Sequence, residues 1–249
     1  MTVLVADRCT ACGACLLTCP EAALSAAPLR PAVDDAACTD CLACLEVCPV
    51  DAIVPHPIEV ESYRRMAELV DLSGWPDGAR QVVARMVHAT ADESFATTAR
   101  VGPRAVEAAV AALRAGATVV CDSNMVMAGA RSVPTTVCLL SETGPAPAGT
   151  TRSADAFRLA AARYPEGALW VVGNAPTALD ALLDLHAGGH VVPAAVIGLP
   201  VGYVGAAEAK QRLWSGPLAD VSVTNSGRRG GSPVAAAALN ALNALARLA

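Results

Sequence analysis

Two copies of one cysteine pattern fill the first 49 residues of this 249-residue chain. Cys9, Cys12, Cys15 and Cys19 run into Pro20, and Cys38, Cys41, Cys44 and Cys48 run into Pro49. Eight thiols at C-x2-C-x2-C-x3-C-P spacing constrain folding more tightly than any apolar pattern, because each run must curl until its sulfurs face one another. Three cysteines two residues apart can be gathered by a single tight loop, whereas the fourth sulfur at that centre must come from elsewhere. The proline after each fourth cysteine stops a short helix and turns the chain away. Gly13 suits a tight loop beside sulfur. Disulfides do not explain the runs, since such spacings bring thiols too close for most pairings. No leader-like segment precedes the runs, so a reducing, cytoplasmic setting is expected. A zinc site would use the C-x2-C pairs but leave each third cysteine and the C-P ending without purpose. Cys121 and Cys138 lie outside the runs, in apolar stretches, and read as core thiols rather than ligands.

The doubled run resembles that of bacterial ferredoxins, which hold two [4Fe–4S] clusters. In such proteins the last cysteine of each run ligates the other cluster. The resemblance therefore implies that Cys9, Cys12, Cys15 and Cys48 serve one cluster, and that Cys38, Cys41, Cys44 and Cys19 serve the other. It also implies a small ferredoxin-like α+β module over residues 1–55.

The charge follows the same division. Within residues 1–55, seven acids (Asp7, Glu21, Asp34, Asp35, Asp40, Glu46 and Asp51) face only Arg8 and Arg30, a net of −5. The whole chain is also −5, so residues 56–249 balance at zero. An acidic module suits a basic redox partner protein and argues against nucleic acid, which requires the opposite sign. The most apolar helix, at the C-terminus, is interrupted by Asn240, Asn243 and Arg247 and does not read as a membrane span.

Pro55 and Pro57 flank His56 and make a stiff junction, so a second domain is expected over residues 56–249. Its periodicity predicts helices over 59–71, 77–88, 103–115, 153–163 (capped by Ser153), 176–186, 206–214 and from 232 onward. Short apolar runs at 118–121, 136–140, 168–172, 194–197 and 221–223 read as buried strands between them. That alternation predicts an α/β fold with a parallel sheet covered on both faces. Ligands in such sheets bind beyond the carboxyl ends of the strands. Four of the segments that follow strands there are rich in glycine, amides or arginine: 122–125, 173–177, 198–202 and 225–232. Together they would offer backbone N–H groups, helix N-termini and the pair Arg228–Arg229 to an anionic ligand. Gly198 to Gly205 lacks both the G-x-G-x-x-G spacing and the Lys-Ser/Thr of a phosphate loop.

Ordered blocks across this region resemble the precorrin-8X methylmutase family of cobalamin biosynthesis. They are Ile58-Glu59 with Ser62, Arg85-Met86-Val87-His88-Ala89-Thr90-Ala91-Asp92 with Phe95-Ala96, Asp122-Ser123-Asn124-Met125-Val126, Gly173 to Leu179, Pro200 to Glu208, and Arg228-Arg229-Gly230-Gly231-Ser232. The resemblance runs from about residue 57 to the end, and the cysteine module is an addition to it. It implies a three-layer α/β/α fold with a five-stranded parallel sheet, a homodimer, and a methyl shift from C-11 to C-12 of a polycarboxylate corrinoid. It also implies that His88 is catalytic, and that Ser62, Arg85, Asn124, Arg131, Asn174, Thr177 and Arg228, Arg229, Gly230 and Gly231 line the macrocycle. His56, His186 and His190 carry no such implication. A second reading is a corrinoid-binding reductase or electron carrier of the same pathway, which would put the cysteines rather than His88 at the centre.

Overall fold

In the computed structural model, residues 3–39, 41–55, 57–130, 133–146 and 148–248 are described. The chain forms two compact units, residues 1–69 with 247–249, and residues 70–246.

The first unit begins with β1 (Val3–Val5), α1 (Ala14–Thr18), β2 (Leu24–Ser25) and β3 (Ala32–Val33), and continues with α2 (Ala43–Glu46), β4 (Ile53–Pro55) and α3 (Pro57–Leu69). β1 pairs antiparallel with β4, and β2 with β3. The two cysteine runs fold as near-copies. Gly13 and Leu42, each one residue after the second cysteine of its run, are left-handed and cap α1 and α2. Ala22 and Asp51, each three residues after the fourth cysteine, are left-handed as well. Four non-glycine residues of this unit, Ala11 among them, adopt a conformation that costs L-residues roughly 1–2 kcal/mol each. The apolar core here is small: Val3, Val5, Leu24 and Ile53 close on Cys15 and Cys44. The expected junction at Pro55–Pro57 is where β4 hands over to α3, and α3 groups with this first unit.

The second unit comprises α4 (Asp77–Thr90), α5 (Phe95–Thr98), β5 (Ala99–Val101), α6 (Ala105–Arg114), β6 (Val119–Cys121), α7 (Asn124–Gly129), β7 (Thr136–Val137) and α8 (Arg152–Arg163). It continues with β8 (Leu169–Val172), α9 (Pro176–Ala187), β9 (Ala195–Gly198), α10 (Ala206–Ser215), β10 (Ser222–Asn225) and α11 (Ser232–Leu248). One sheet runs β5-β10-β9-β8-β6-β7. Five strands are parallel, as expected, and β5 adds an antiparallel edge beside β10. One sheet face packs Val120, Trp170, Val172 and Val196 against α8, α9 and α10, with Phe157 edge-on to Trp170 at 4.9 Å between centroids. On the other face α6 meets β9, while Gly129 of α7 and Gly173 lie against Ala236 and Ala235 of α11. Strands buried on both faces explain why their sequence is a continuous apolar run rather than an alternation.

Two local expectations need correction. Residues 136–140 do not form one strand; β7 stops at Val137, and Leu139–Ser141 forms a 3-10 turn. Ser153 does not cap α8: Thr151 does, its hydroxyl accepting from the Ala154 N–H at 3.2 Å. A β-hydroxyl sits at both positions, and the extended backbone of Thr151 puts its oxygen within reach of the free N–H. Among the described residues, no helix is long and apolar enough to cross a membrane.

Candidate functional site

The carboxyl ends of β6, β8, β9 and β10 open onto one edge of the sheet. Because β5 is antiparallel, its start also lies there, with Ala99 opposite Asn225 and the Ser226 N–H bonded to the Thr98 carbonyl. That pairing draws the α4–α5 connection to the same edge. His88 occupies the last turn of α4, is half-buried, and is followed by the left-handed Ala91 that ends the helix. Arg85, also half-buried, precedes it by three residues and so shares its side of the helix.

The connection beyond His88 is tied to the last strand's loop. The Arg229 guanidinium pairs with Asp92 and reaches Ser94 Oγ at 3.3 Å. Burial works against the Asp92 carboxylate, but Ser94 and Arg229 outweigh it and hold its pKa below the usual range. Arg228 lies over the Tyr203 ring at 5.1 Å, so the β10–α11 loop also touches the β9–α10 loop. Two backbone bonds join those loops, Gly202 N–H to the Arg228 carbonyl at 3.2 Å and Gly231 N–H to the Leu199 carbonyl at 2.9 Å. Gly230 has no room for a side chain, since a Cβ would stand 2.3 Å from the Leu199 carbonyl oxygen. Arg228 and Arg229 are exposed, as are Met125, Tyr203 and Val204 around them, so cationic and apolar groups are mixed at this edge.

The β8–α9 turn is built by a residue that the loop compositions did not single out. Asp122 follows β6 directly and is fully buried. Its carboxylate accepts from the Gly173 N–H at 3.1 Å and from the Asn174 and Ala175 N–H groups at 2.7 Å. Burial pushes its carboxyl pKa up, and the three N–H donors oppose that rise. Asn174 and Thr177 are thereby fixed at the sheet edge, and Thr177 Oγ1 meets Thr151 Oγ1 at 2.6 Å. An Asp set immediately after a buried strand was the available signal. We expect Asp122→Asn to lower stability by about 1–3 kcal/mol, because the amide can turn only one acceptor toward three donors. A thermal midpoint unchanged from wild type would contradict that role.

Of the residues expected to line the ligand site, His88, Arg85, Asn124, Asn174, Thr177 and Arg228 to Gly231 belong to the second unit, on this edge or on the helix that reaches it. Asn124 is the exposed first residue of α7, whose start is capped by Ser123 accepting from the Val126 N–H at 3.3 Å. Ser62 lies on α3 in the first unit. Arg131 lies outside the described residues, as does His56. His186 Nδ1 contacts the Val191 carbonyl at 3.0 Å, a helix-end contact that needs no ligand.

In the first unit, the eight cysteines of the runs line two cavities. Cys9, Cys12, Cys15 and Cys48 face one; Cys19, Cys38, Cys41 and Cys44 face the other. Each cavity thus takes three sulfurs from one run and the fourth from its twin. N–H groups point at sulfur in the same way in both copies, Ala23 to Cys19 Sγ at 3.2 Å and Ala52 to Cys48 Sγ at 3.1 Å. Among the described residues, no three Cys, His or acidic side chains converge as they would on a single ion. Burial, with Cys41 and Cys38 nearby, pushes the Cys44 thiol up to about 12, whereas backbone N–H groups hold the Cys48 thiol below its usual value. Four sulfurs at each cavity, three from one run and one from the other, are a donor set that suits a [4Fe–4S] cluster. Cys121 is buried and Cys138 half-buried, both outside these cavities.

Comparison with known proteins finds two overlapping matches along the chain. Residues 57–245 match the family described as precorrin-8X methylmutase, and residues 1–64 match a 4Fe-4S dicluster domain. A precorrin-8X methylmutase of Pseudomonas aeruginosa is 39% identical over 191 residues, covering 73% of this chain and 91% of that relative. A cobalt-precorrin-8 methylmutase of Synechocystis is 35% identical over 214 residues, covering 77% and 96%. The crystal structure of the precorrin-8X methylmutase from Thermus thermophilus aligns with a TM-score of 0.67 at 36% identity, covering 76% of this chain and 95% of that one.

Proposed function

This chain belongs to the precorrin-8X methylmutase family, and from that premise we propose that it moves the C-11 methyl group of precorrin-8X or cobalt-precorrin-8 to C-12, giving hydrogenobyrinate or cobyrinate. The observation that carries the proposal is the tie between Arg229 and Asp92, which joins the cationic loop to the helix end bearing His88. A corrin precursor is a broad apolar ring fringed by carboxylates. It calls for an aliphatic floor with arginine and amide groups at the rim, and the sheet edge combines Met125, Val201 and Val204 with Arg228 and Asn174.

His88 is assigned as the proton donor. Migration of a methyl group around a conjugated ring shifts electron density, and a proton delivered near a ring nitrogen or carbon lowers that barrier. An imidazole can do this near neutrality because both its forms are accessible there. Arg85, Ser62, Asn124, Arg131, Asn174, Thr177 and Arg228 to Gly231 are assigned to hold the ring and its carboxylates, and the family implies a homodimer.

The eight run cysteines are assigned as cluster ligands in the crossed sets that line the two cavities. Clusters held there would supply one-electron transfer. The isomerisation leaves the substrate's composition and electron count unchanged, so that transfer serves the corrinoid or a basic partner protein outside the methyl shift. Substrate carrying 13C in the migrating methyl should give a product of the same mass with the label on C-12. A product heavier by two hydrogens would place the chain among corrinoid reductases instead.

A further inference from the structure

The inner side of the arginine-bearing loop is held by a residue of an unexpected kind. Lys210 is the single lysine among 18 basic residues and is 1% exposed. It shares the inward face of α10 with Ala206, Ala209 and Leu213, a face that apolar residues normally fill. Its ammonium reaches the end of β10, donating to Asn225 Oδ1 at 3.0 Å and to the Arg229 carbonyl. Asn225 Nδ2 donates to that same carbonyl at 3.1 Å and to the Ser226 carbonyl at 3.1 Å. Two buried donors thus meet at one carbonyl, while the guanidinium of the same residue faces outward to Asp92.

Both acceptors of the ammonium are neutral, and burial pulls its pKa down to about 8. A buried cation resting on neutral acceptors is costly, and an unbranched apolar side chain would fill the space with less penalty. The charge is therefore poorly explained as packing. Its geometry has a specific consequence: ammonium bonds of this type are about twice as strong as neutral ones, and they act on the loop's backbone rather than on a side chain. The loop's outer ties, the Arg228–Tyr203 stack and the Arg229–Asp92 pair, involve exposed arginines and are individually weak.

We propose that Lys210 is a positioning residue for substrate binding: by pinning the Arg229 carbonyl from inside, it holds the Arg228–Gly231 turn in the form that presents its cationic and N–H groups to a substrate carboxylate. This rests on the assignment of that turn to the substrate rim. It differs from that assignment in making a residue without substrate contact responsible for affinity.

The test is Lys210→Met in the full chain, read in two independent ways. Trypsin cleavage after Arg228 and Arg229, followed by mass spectrometry, reports the loop itself without substrate. KM and kcat with precorrin-8X report its use. Losing a hydrogen bond to a charged group corresponds to about 10–100-fold. We therefore expect cleavage at those two bonds to accelerate by about tenfold or more, and KM to rise by a similar factor with kcat within about threefold. The thermal midpoint should not fall. Cleavage unchanged from wild type overturns the role of Lys210, whatever the substrate proves to be. Faster cleavage with an unaltered KM removes the turn from the substrate rim and overturns the proposal at that step. A lowered midpoint with cleavage accelerated along the whole chain reduces Lys210 to a general stabilising residue. If wild-type protein converts no precorrin-8X, the assigned reaction fails while the cleavage result still decides what Lys210 does.

Discussion

Replacing His88 with alanine should lower the rate of isomerisation by about 10²–10⁴, the range that general acid–base assistance contributes. That corresponds to roughly 3–5 kcal/mol of transition-state stabilisation. The substitution leaves α4 intact, because the buried face of that helix is formed by Ala79, Val82, Val83, Met86 and Val87, and alanine favours the helix. Substrate affinity should change little, since the arginines and the turn amides assigned to the rim remain. The expected signature is therefore a collapse of kcat with KM held within a few-fold, measured on protein whose thermal midpoint matches wild type. A His88→Ala variant with unchanged turnover would remove the residue from the chemistry. A proportional rise in KM at constant kcat would make it a binding residue instead.

The second large effect concerns the cysteine module. Replacing Cys9 and Cys38 with alanine removes one thiolate from each crossed ligand set, because the two residues face different cavities. Iron should fall from about eight atoms per chain to well below four, with loss of the visible absorption that the clusters give. The first unit should then lose its fold. Its core is little more than Val3, Val5, Leu24 and Ile53 around Cys15 and Cys44, too small for independent stability without a metal centre. Its several left-handed residues add local strain that cluster binding would offset. Isomerisation at saturating substrate should nevertheless continue, because His88 and the residues assigned to hold the ring, apart from Ser62 on α3, lie in the second unit. Full iron content in the double variant would contradict the crossed assignment. Loss of isomerisation together with the clusters would mean that the module takes part in the reaction after all.

What could be seen in the sequence depended on how local each determinant was. The cysteine runs could be read because ligand spacing is written in consecutive residues, and the crossed sets now line separate cavities. The five parallel strands were legible as apolar runs because both of their faces are covered. β5 was not: Ala99-Arg100-Val101 is three residues long, and it becomes a strand only through pairing with Val223–Asn225, more than a hundred residues away. α7 escaped because its six residues are too few to show periodicity, and Ser123 alone marks its start. The sheet-edge loops were visible from their position after strands, but what shapes them was hidden. Asp122 orders the β8–α9 turn and Lys210 the β10–α11 turn, each by reaching backbone that is distant in sequence. Lys210 did leave a trace, a charged residue in the inward stripe of Ala206, Ala209 and Leu213. The Asp92–Arg229 pair left none, since 137 residues separate its members.

The most direct test of the division between chemistry and accessory clusters is anaerobic conversion of precorrin-8X by cluster-loaded protein, with the clusters either oxidised or reduced beforehand. A redox-neutral methyl shift centred on His88 requires no electron, so the rate should be the same in both states and should persist with no electron donor present. Conversion that appears only after reduction would contradict that account, and would put the cysteine module at the centre of the reaction.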